Sequence, residues 1–257
     1  MFSDNIDIKK DFQAHFMMQM SKENLMPFFY EIFVYGIAYV VGGYFRDFIN
    51  NKPSRDIDII VDLDNKRLLE IISASEINYR ENRHGGIKLI TPNLEIDIWS
   101  IENNWAFKND LVKLNDLDKL NSIAKGCFYN YDALVINLIN FSYNLRYYKD
   151  FIETRKLNIL QERSIYKNLN PTTEANILRA FYLKDILDIN FTKNTYYYIN
   201  RKLGHLEGRY GSCFFEKMLE VKSKYPKYDS LSADKLKQYL LDFKVDDLPN
   251  NQLFMDI

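Results

Sequence analysis

The sequence predicts an α+β protein, on three observations. Residues Tyr39-Val40-Val41-Gly42-Gly43-Tyr44-Phe45-Arg46-Asp47, followed by Arg55-Asp56-Ile57-Asp58-Ile59-Ile60-Val61, read as strand, Gly-Gly turn, short helix and second strand. Residues Gly86-Ile87-Lys88-Leu89-Ile90 and Leu94-Glu95-Ile96-Asp97-Ile98-Trp99, on either side of a Pro92-Asn93 turn, read as a hairpin. Apolar residues then recur at three and four from Thr173 to Asp188, and again at Leu236, Tyr239, Leu240 and Phe243, which is helical spacing. The first part of the chain, to about Asn115, therefore mixes strands and helices, and the second is mostly helical.

The elements carry chemistry in the order in which they occur. Strand side chains alternate, so Asp56 and Asp58 aim the same way, about 7 Å apart along the strand. The intervening Ile57 and the run to Val61 bury the other side, so the acidic face needs partners. Paired carboxylates suit one or two Mg²⁺ ions, which prefer oxygen ligands and usually also take substrate phosphates. A lone Gly-Gly is an ordinary turn signal and a lone Asp-x-Asp is often a solvated strand edge; a phosphate-binding turn next to a metal-binding strand points to nucleotide chemistry. Asp97, with Glu95 on the same face, is either a third metal-binding carboxylate or an ordinary outward residue of a half-exposed strand. His84-Gly85-Gly86 is a hairpin turn or a loop near the substrate. In the helical part, Asn170-Pro171-Thr172 suits a helix start, with Thr172 as cap. Gly204, Gly208 and Gly211 are expected to punctuate the helices that follow, and the tail after Pro249 to fray.

Composition bounds the function. With 257 residues, 47% hydrophobic and 27% charged, the chain can bury a full core as one large or two modest domains. No stretch approaches the roughly 20 apolar residues of a membrane span, and the first residues lack a basic and then apolar leader, so cytoplasmic residence and no membrane partner are expected. Cys127 and Cys213 are isolated, which points to neither a zinc site nor a disulfide framework. A net charge of −1 excludes a uniformly basic nucleic-acid surface. Basic and aromatic residues do cluster at Arg146-Tyr147-Tyr148-Lys149, Arg155-Lys156, Tyr196-Tyr197-Tyr198, Arg201-Lys202 and Arg209-Tyr210. They either form an RNA-facing surface within residues 146 to 210 or fill helical cores with their cations solvated.

Gly-Gly-x-x-Arg-Asp, eight residues, then Asp-x-Asp resembles the head of polymerase-β-type nucleotidyltransferases, most closely the bacterial poly(A) polymerase and CCA-adding tRNA nucleotidyltransferase group. Met26-Pro27-Phe28-Phe29-Tyr30-Glu31-Ile32-Phe33 fits that family's first helix, and Asn176-Ile177-Leu178-Arg179-Ala180-Phe181 resembles its neck helix. The resemblance implies a small mixed sheet backed by helices, as a catalytic head over residues 1–140, with a helical neck and body-like part over 141–257. It makes Asp56 and Asp58 ligands of Mg²⁺ and Asp97 the candidate third ligand. Gly42 and Gly43 would let the backbone approach a nucleoside triphosphate, Arg46 would pair with phosphate or lock the turn, and Asp47 would brace it. Arg179 joins the nucleotide-binding set. The partners implied are a nucleoside triphosphate and an RNA 3′ end, tRNA in particular. The same head also serves acceptors on proteins and small molecules, and an inactive nucleotide- or RNA-binding relative is the alternative from another class.

The chain also departs from the pattern. Where the family carries Arg-Arg-Asp-Phe-Thr-x-Asn, residues 128–137 offer no arginine pair: alignment on Asn137 puts Tyr131 and Asp132 there, and alignment on Asp132 needs one inserted residue. Where the neck carries a base-reading Glu-Asp-x-x-Arg, this chain has Thr172, Thr173 and Asn176. Ordered addition of C, C and A is therefore not expected.

Overall fold

Residues 7–54, 56–82, 85–161 and 172–245 are described by the computed structural model, which divides the chain into two compact units, Met1–Thr154 and Arg155–Ile257. In chain order the first unit contains α1 (Ile8–Lys22), α2 (Met26–Tyr35), β1 (Ile37–Val41), α3 (Gly43–Ile49), β2 (Asp56–Asp62), α4 (Asn65–Ala74), β3 (Tyr79–Glu81), β4 (Ile87–Ile90) and β5 (Glu95–Ser100). It continues with α5 (Trp105–Lys108), α6 (Lys119–Gly126), β6 (Val135–Asn137), β7 (Tyr143–Asn144) and α7 (Arg146–Thr154). Its strands make one sheet in the order β3-β4-β5-β2-β1-β6-β7. Only β2 and β5 pair parallel among the described strands of this sheet. The expected strand, turn, helix and strand at 39–61 and the hairpin at 86–99 are all present.

Register assigns each side chain to a face. Ala38, Val40, Ile57, Ile59, Val61, Ile87, Leu89, Ile96, Ile98 and Ile136 share one face and are buried. Helices α2, α3 and α4 pack behind the central strands, and burying an aliphatic side chain there contributes about 1.5–3 kcal/mol. A further helix that the sequence pattern did not reveal, α1, starts at the cap Asp7 and seats Phe12 against the rings of Tyr44, Phe45 and Phe48 of α3 and its C-terminal end. The α2 helix opens with Pro27 in its first turn, where a missing amide costs nothing.

In the second unit, β8 (Lys156–Leu157) pairs parallel with β9 (Asn190–Phe191), and α8 (Thr173–Leu187), α9 (Lys193–Tyr210), α10 (Phe214–Ser223) and α11 (Ala233–Val245) pack together. Thr172 caps α8, its hydroxyl accepting from the Ala175 amide, and Asp188 closes that helix in a left-handed conformation. Phe181, Phe191, Tyr196, Tyr239 and Phe243 form a ring cluster in its core. Gly204 and Gly208 do not punctuate: both lie inside α9, and only Gly211, at φ 54°, ends it. Residues 170, 171 and the tail after Pro249 lie outside the described residues, as do Arg55 and His84.

Candidate active site

The face opposite the helices is acidic at its centre. Parallel pairing of β2 with β5 sets Asp56 beside Glu95 and Asp58 beside Asp97, neighbouring strands being about 4.8 Å apart. Antiparallel pairing of β4 with β5 sets Lys88 beside Asp97, and β3 adds Arg80 beside Lys88. Across four strands one row thus reads Arg80, Lys88, Asp97, Asp58, two cations and then two carboxylates. Asp56 and Asp58 are exposed while Asp97 is half-buried. The Lys88 ammonium donates to Glu95 Oε2 at 2.7 Å and lies 3.8 Å from Asp97 Oδ2.

Asp97 feels this environment. Burial pushes its carboxyl above the usual carboxylate range, opposed by Lys88 and reinforced by Glu95 and Asp56. The bond to Glu95 in turn holds the Lys88 ammonium above its ordinary value, with Asp97 adding to the effect. Of the two sequence readings of Asp97 and Glu95, the structure brings Asp97 onto the face and row of Asp58, and leaves Glu95 exposed at the same face.

The Gly-Gly turn follows directly from this row, because Val41, the last residue of β1, is the register partner of Asp58. Gly42 has φ 76°, a conformation for which glycine is the ordinary choice, and its amide donates to the Leu134 carbonyl at 2.9 Å. That amide is therefore used within the fold. Gly43 begins α3, and among the described residues a Cβ there would meet only Arg46 Nη2, at 3.5 Å.

Arg46 is held from three sides. Its Nη1 donates to Asp132 Oδ1 at 2.6 Å, its Nη2 and Nε to Asp47 Oδ1 at 3.1 and 3.3 Å, and its guanidinium lies 4.3 Å from the centre of the Tyr131 ring. Of the two roles expected for Arg46, locking the turn is the one these contacts display, with Asp47 as its brace. Asp132 and Tyr131 are the part that sequence reasoning missed. They belong to the single turn Asn130–Asp132, against which α7 packs, and Tyr131 meets Tyr148 and Phe151 edge-on or tilted. The available signal was the alignment on Asp132, which keeps this carboxylate and loses the arginines. Asn137 instead shapes the next turn, its Oδ1 accepting from the amides of Ile139 and Asn140 at 2.7 and 3.3 Å.

Among the described residues no three His, Cys, Asp or Glu side chains stand as a preformed metal cage. The donor set nevertheless fits Mg²⁺, which commonly takes one or two carboxylates and completes its shell with water and substrate phosphate oxygens. Asp56 and Asp58 present such carboxylates on an exposed face.

Residues 38–118 match the family described as the poly(A) polymerase head domain. This segment is similar to that head domain. The chain's fold is similar to a CCA-adding enzyme in complex with ATP, at 18% identity and TM-score 0.59, over 89% of this chain and 52% of that one. It is similar to a CCA-adding enzyme in complex with CTP, at 20% identity and TM-score 0.58, over 82% of this chain and 48% of that one. It is likewise similar to the Thermotoga maritima CCA-adding enzyme complexed with tRNA, at 19% identity and TM-score 0.58, over 82% and 48%. At such identities the likeness is one of fold, and the chain spans about half the length of these enzymes. No curated protein matches it in sequence.

The matched segment contains Gly42, Gly43, Arg46, Asp47, Asp56, Asp58 and Asp97. Arg179 stands on α8 of the second unit, half-buried. On the same helix Asn176 is 1% exposed, and the buried Glu174 accepts from Tyr210 Oη at 2.7 Å. Several residues of the basic and aromatic clusters are core: Tyr148, Tyr198 and Lys202 are buried, and Arg155 donates to the end carbonyls of α8, Leu187 and Asp188. No described helix is long and apolar enough to cross a membrane.

Proposed function

We propose that the protein is a Mg²⁺-dependent nucleotidyltransferase that moves a nucleoside monophosphate from a nucleoside triphosphate to an RNA 3′ end, in the tRNA class, without ordered addition of C, C and A. The observation that carries this reading is the register of β1, β2 and β5, which sets Asp56, Asp58 and Asp97 on one face directly beside the Gly42-Gly43 turn. The head-domain match and the fold shared with enzymes solved with CTP, ATP and tRNA support it.

Each residue has a task on this account. Asp56 and Asp58 hold the metal, with Asp97 as third carboxylate; when bound, Mg²⁺ would lower the pKa of the acceptor hydroxyl and neutralise charge on the phosphates during in-line displacement. Gly43, bare of side chain, lets the triphosphate approach the backbone. Arg46, fixed between Asp47 and Asp132, keeps the turn in shape. The acceptor hydroxyl gives up its proton to water as its oxygen bonds to the α-phosphorus, the bond to the bridging oxygen breaks, and pyrophosphate leaves. On this reading the catalytic head comprises residues 1–140 and the helical part from residue 141 follows as neck and body, with Arg179 in the nucleotide-binding set.

Loss of ordered C, C, A addition rests on Thr172, Thr173 and Asn176. Thr172 is occupied as a helix cap and Asn176 is buried, and short neutral side chains do not offer the paired donors and acceptors of Glu, Asp and Arg. Matched hydrogen bonds to a base discriminate by several kcal/mol, about the cost of leaving buried polar groups unpaired. Purified protein with Mg²⁺, CTP, ATP and tRNA lacking its 3′ end should extend the RNA without rebuilding the CCA terminus. A correct CCA terminus would overturn this specificity, and label appearing only on protein or small molecules would overturn the acceptor.

A further inference from the structure

The row Arg80, Lys88, Asp97, Asp58 contains a cation in contact with a carboxylate of the proposed metal face. Lys88 lies on the antiparallel partner of β5, and register fixes its side chain on the face of Asp97. Its ammonium stands 3.8 Å from Asp97 Oδ2 and 2.7 Å from Glu95 Oε2, so it serves two carboxylates at once. A β-strand position admits little choice here: moving Lys88 off this face would need a register slip that turns Ile87 and Leu89, both 1% exposed, toward solvent. The lysine is therefore built in. A carboxylate that neutralises an ammonium has less charge to offer a divalent cation, and that cation is repelled by the ammonium in turn.

We propose that Lys88 is a positioning residue, an internal counter-ion that competes with divalent metal for Asp97. It leaves Asp56 and Asp58 as the principal metal ligands and makes Asp97 available only when the ammonium, already bonded to Glu95, moves farther than its present 3.8 Å from Asp97. This inference rests on the metal reading of the preceding section. Its consequence is weak metal binding in the absence of nucleotide, with Arg80, the neighbour of Lys88 across β3 and β4, keeping that flank cationic.

Mn²⁺ titration of the full chain without nucleotide, followed by the relaxation of water protons, tests this without reference to activity. Lys88→Met should bind Mn²⁺ about tenfold more tightly than wild type, the effect of removing one unit charge near a divalent ion at a wet site. Lys88→Arg, which keeps the charge, should bind as wild type does. Asp97→Asn should cost about tenfold more affinity in the Lys88→Met background than in wild type, because only there is Asp97 free to ligate. If Asp58→Asn loses binding while Lys88→Met equals wild type, or the Asp97 effect is the same in both backgrounds, the competition does not exist and the metal reading stands. If Asp58→Asn binds as wild type does, the metal reading fails and takes this inference with it. Should Lys88→Met not unfold cooperatively, Lys88→Gln, which keeps a donor for Glu95, carries the same comparison.

Discussion

Arg46, expected either to pair with phosphate or to lock the turn, makes the contacts of the second role. Its side chain is 13% exposed and its two carboxylate partners, Asp47 and Asp132, are 23% and 18% exposed, so neither ion pair is a fully solvated surface contact. Asp132→Ala strands one arm of a mostly desolvated guanidinium, which costs about 1–3 kcal/mol. Urea unfolding should show that loss, and an unchanged midpoint would mean that the 2.6 Å contact contributes nothing to stability. His15 offers a pH-dependent counterpart. Its Nε2 lies 2.9 Å from Tyr44 Oη, and burial, followed by the charge of Lys22, lowers its pKa from the ordinary 6.5. Below that value the unfolded chain takes up a proton that folded His15 resists, so this contribution to stability is complete above pH 6.5 and declines as pH falls through the lowered value. The stability of wild type relative to His15→Gln should therefore fall from about pH 7 to about pH 5. Parallel curves for the two proteins would contradict it.

The hairpin of β4 and β5 joins local structure to the acidic face. Gly86, just before β4, lies so close to Trp99 of β5 that a Cβ would come within 2.5 Å of the indole Cε2. Gly86→Ala should therefore lower stability by about 1–3 kcal/mol, the usual cost of overpacking, and a thermal melt equal to wild type would show that the indole moves aside freely. These strands were legible because five or six residues of strict alternation leave one reading of period and face. Parity placed Asp56 with Asp58, and Glu95 with Asp97, on one face of their own strands, and the β2–β5 register then puts the two pairs on a common face. What parity in one strand did not give was the neighbour: that Lys88 stands beside Asp97 follows from the β4–β5 register. The short strands β6 and β7, three and two residues long, carry too few residues for a period, so the sheet runs beyond the mixed region expected to end near Asn115. Gly204 and Gly208 misled for the opposite reason: a long amphipathic helix tolerates glycines at about 1 kcal/mol each, and α9 absorbs both.

Over the whole molecule, one unit provides a seven-stranded sheet whose covered face is aliphatic and whose other face is charged at the centre, and a second provides a helical bundle with an aromatic core. The head-domain match covers residues 38–118, and the proposed chemistry rests on two aspartates of one strand. The most direct measurement is transfer of α-labelled nucleotide to tRNA in the presence of Mg²⁺, comparing wild type with the double variant Asp56→Asn and Asp58→Asn, both shown to be folded by thermal melting. The account predicts label on RNA that appears with wild type, disappears on chelation of the metal, and is abolished in the double variant with little change in stability, since removing two adjacent charges relieves repulsion in the metal-free fold. Transfer by the double variant at the wild-type rate would contradict it.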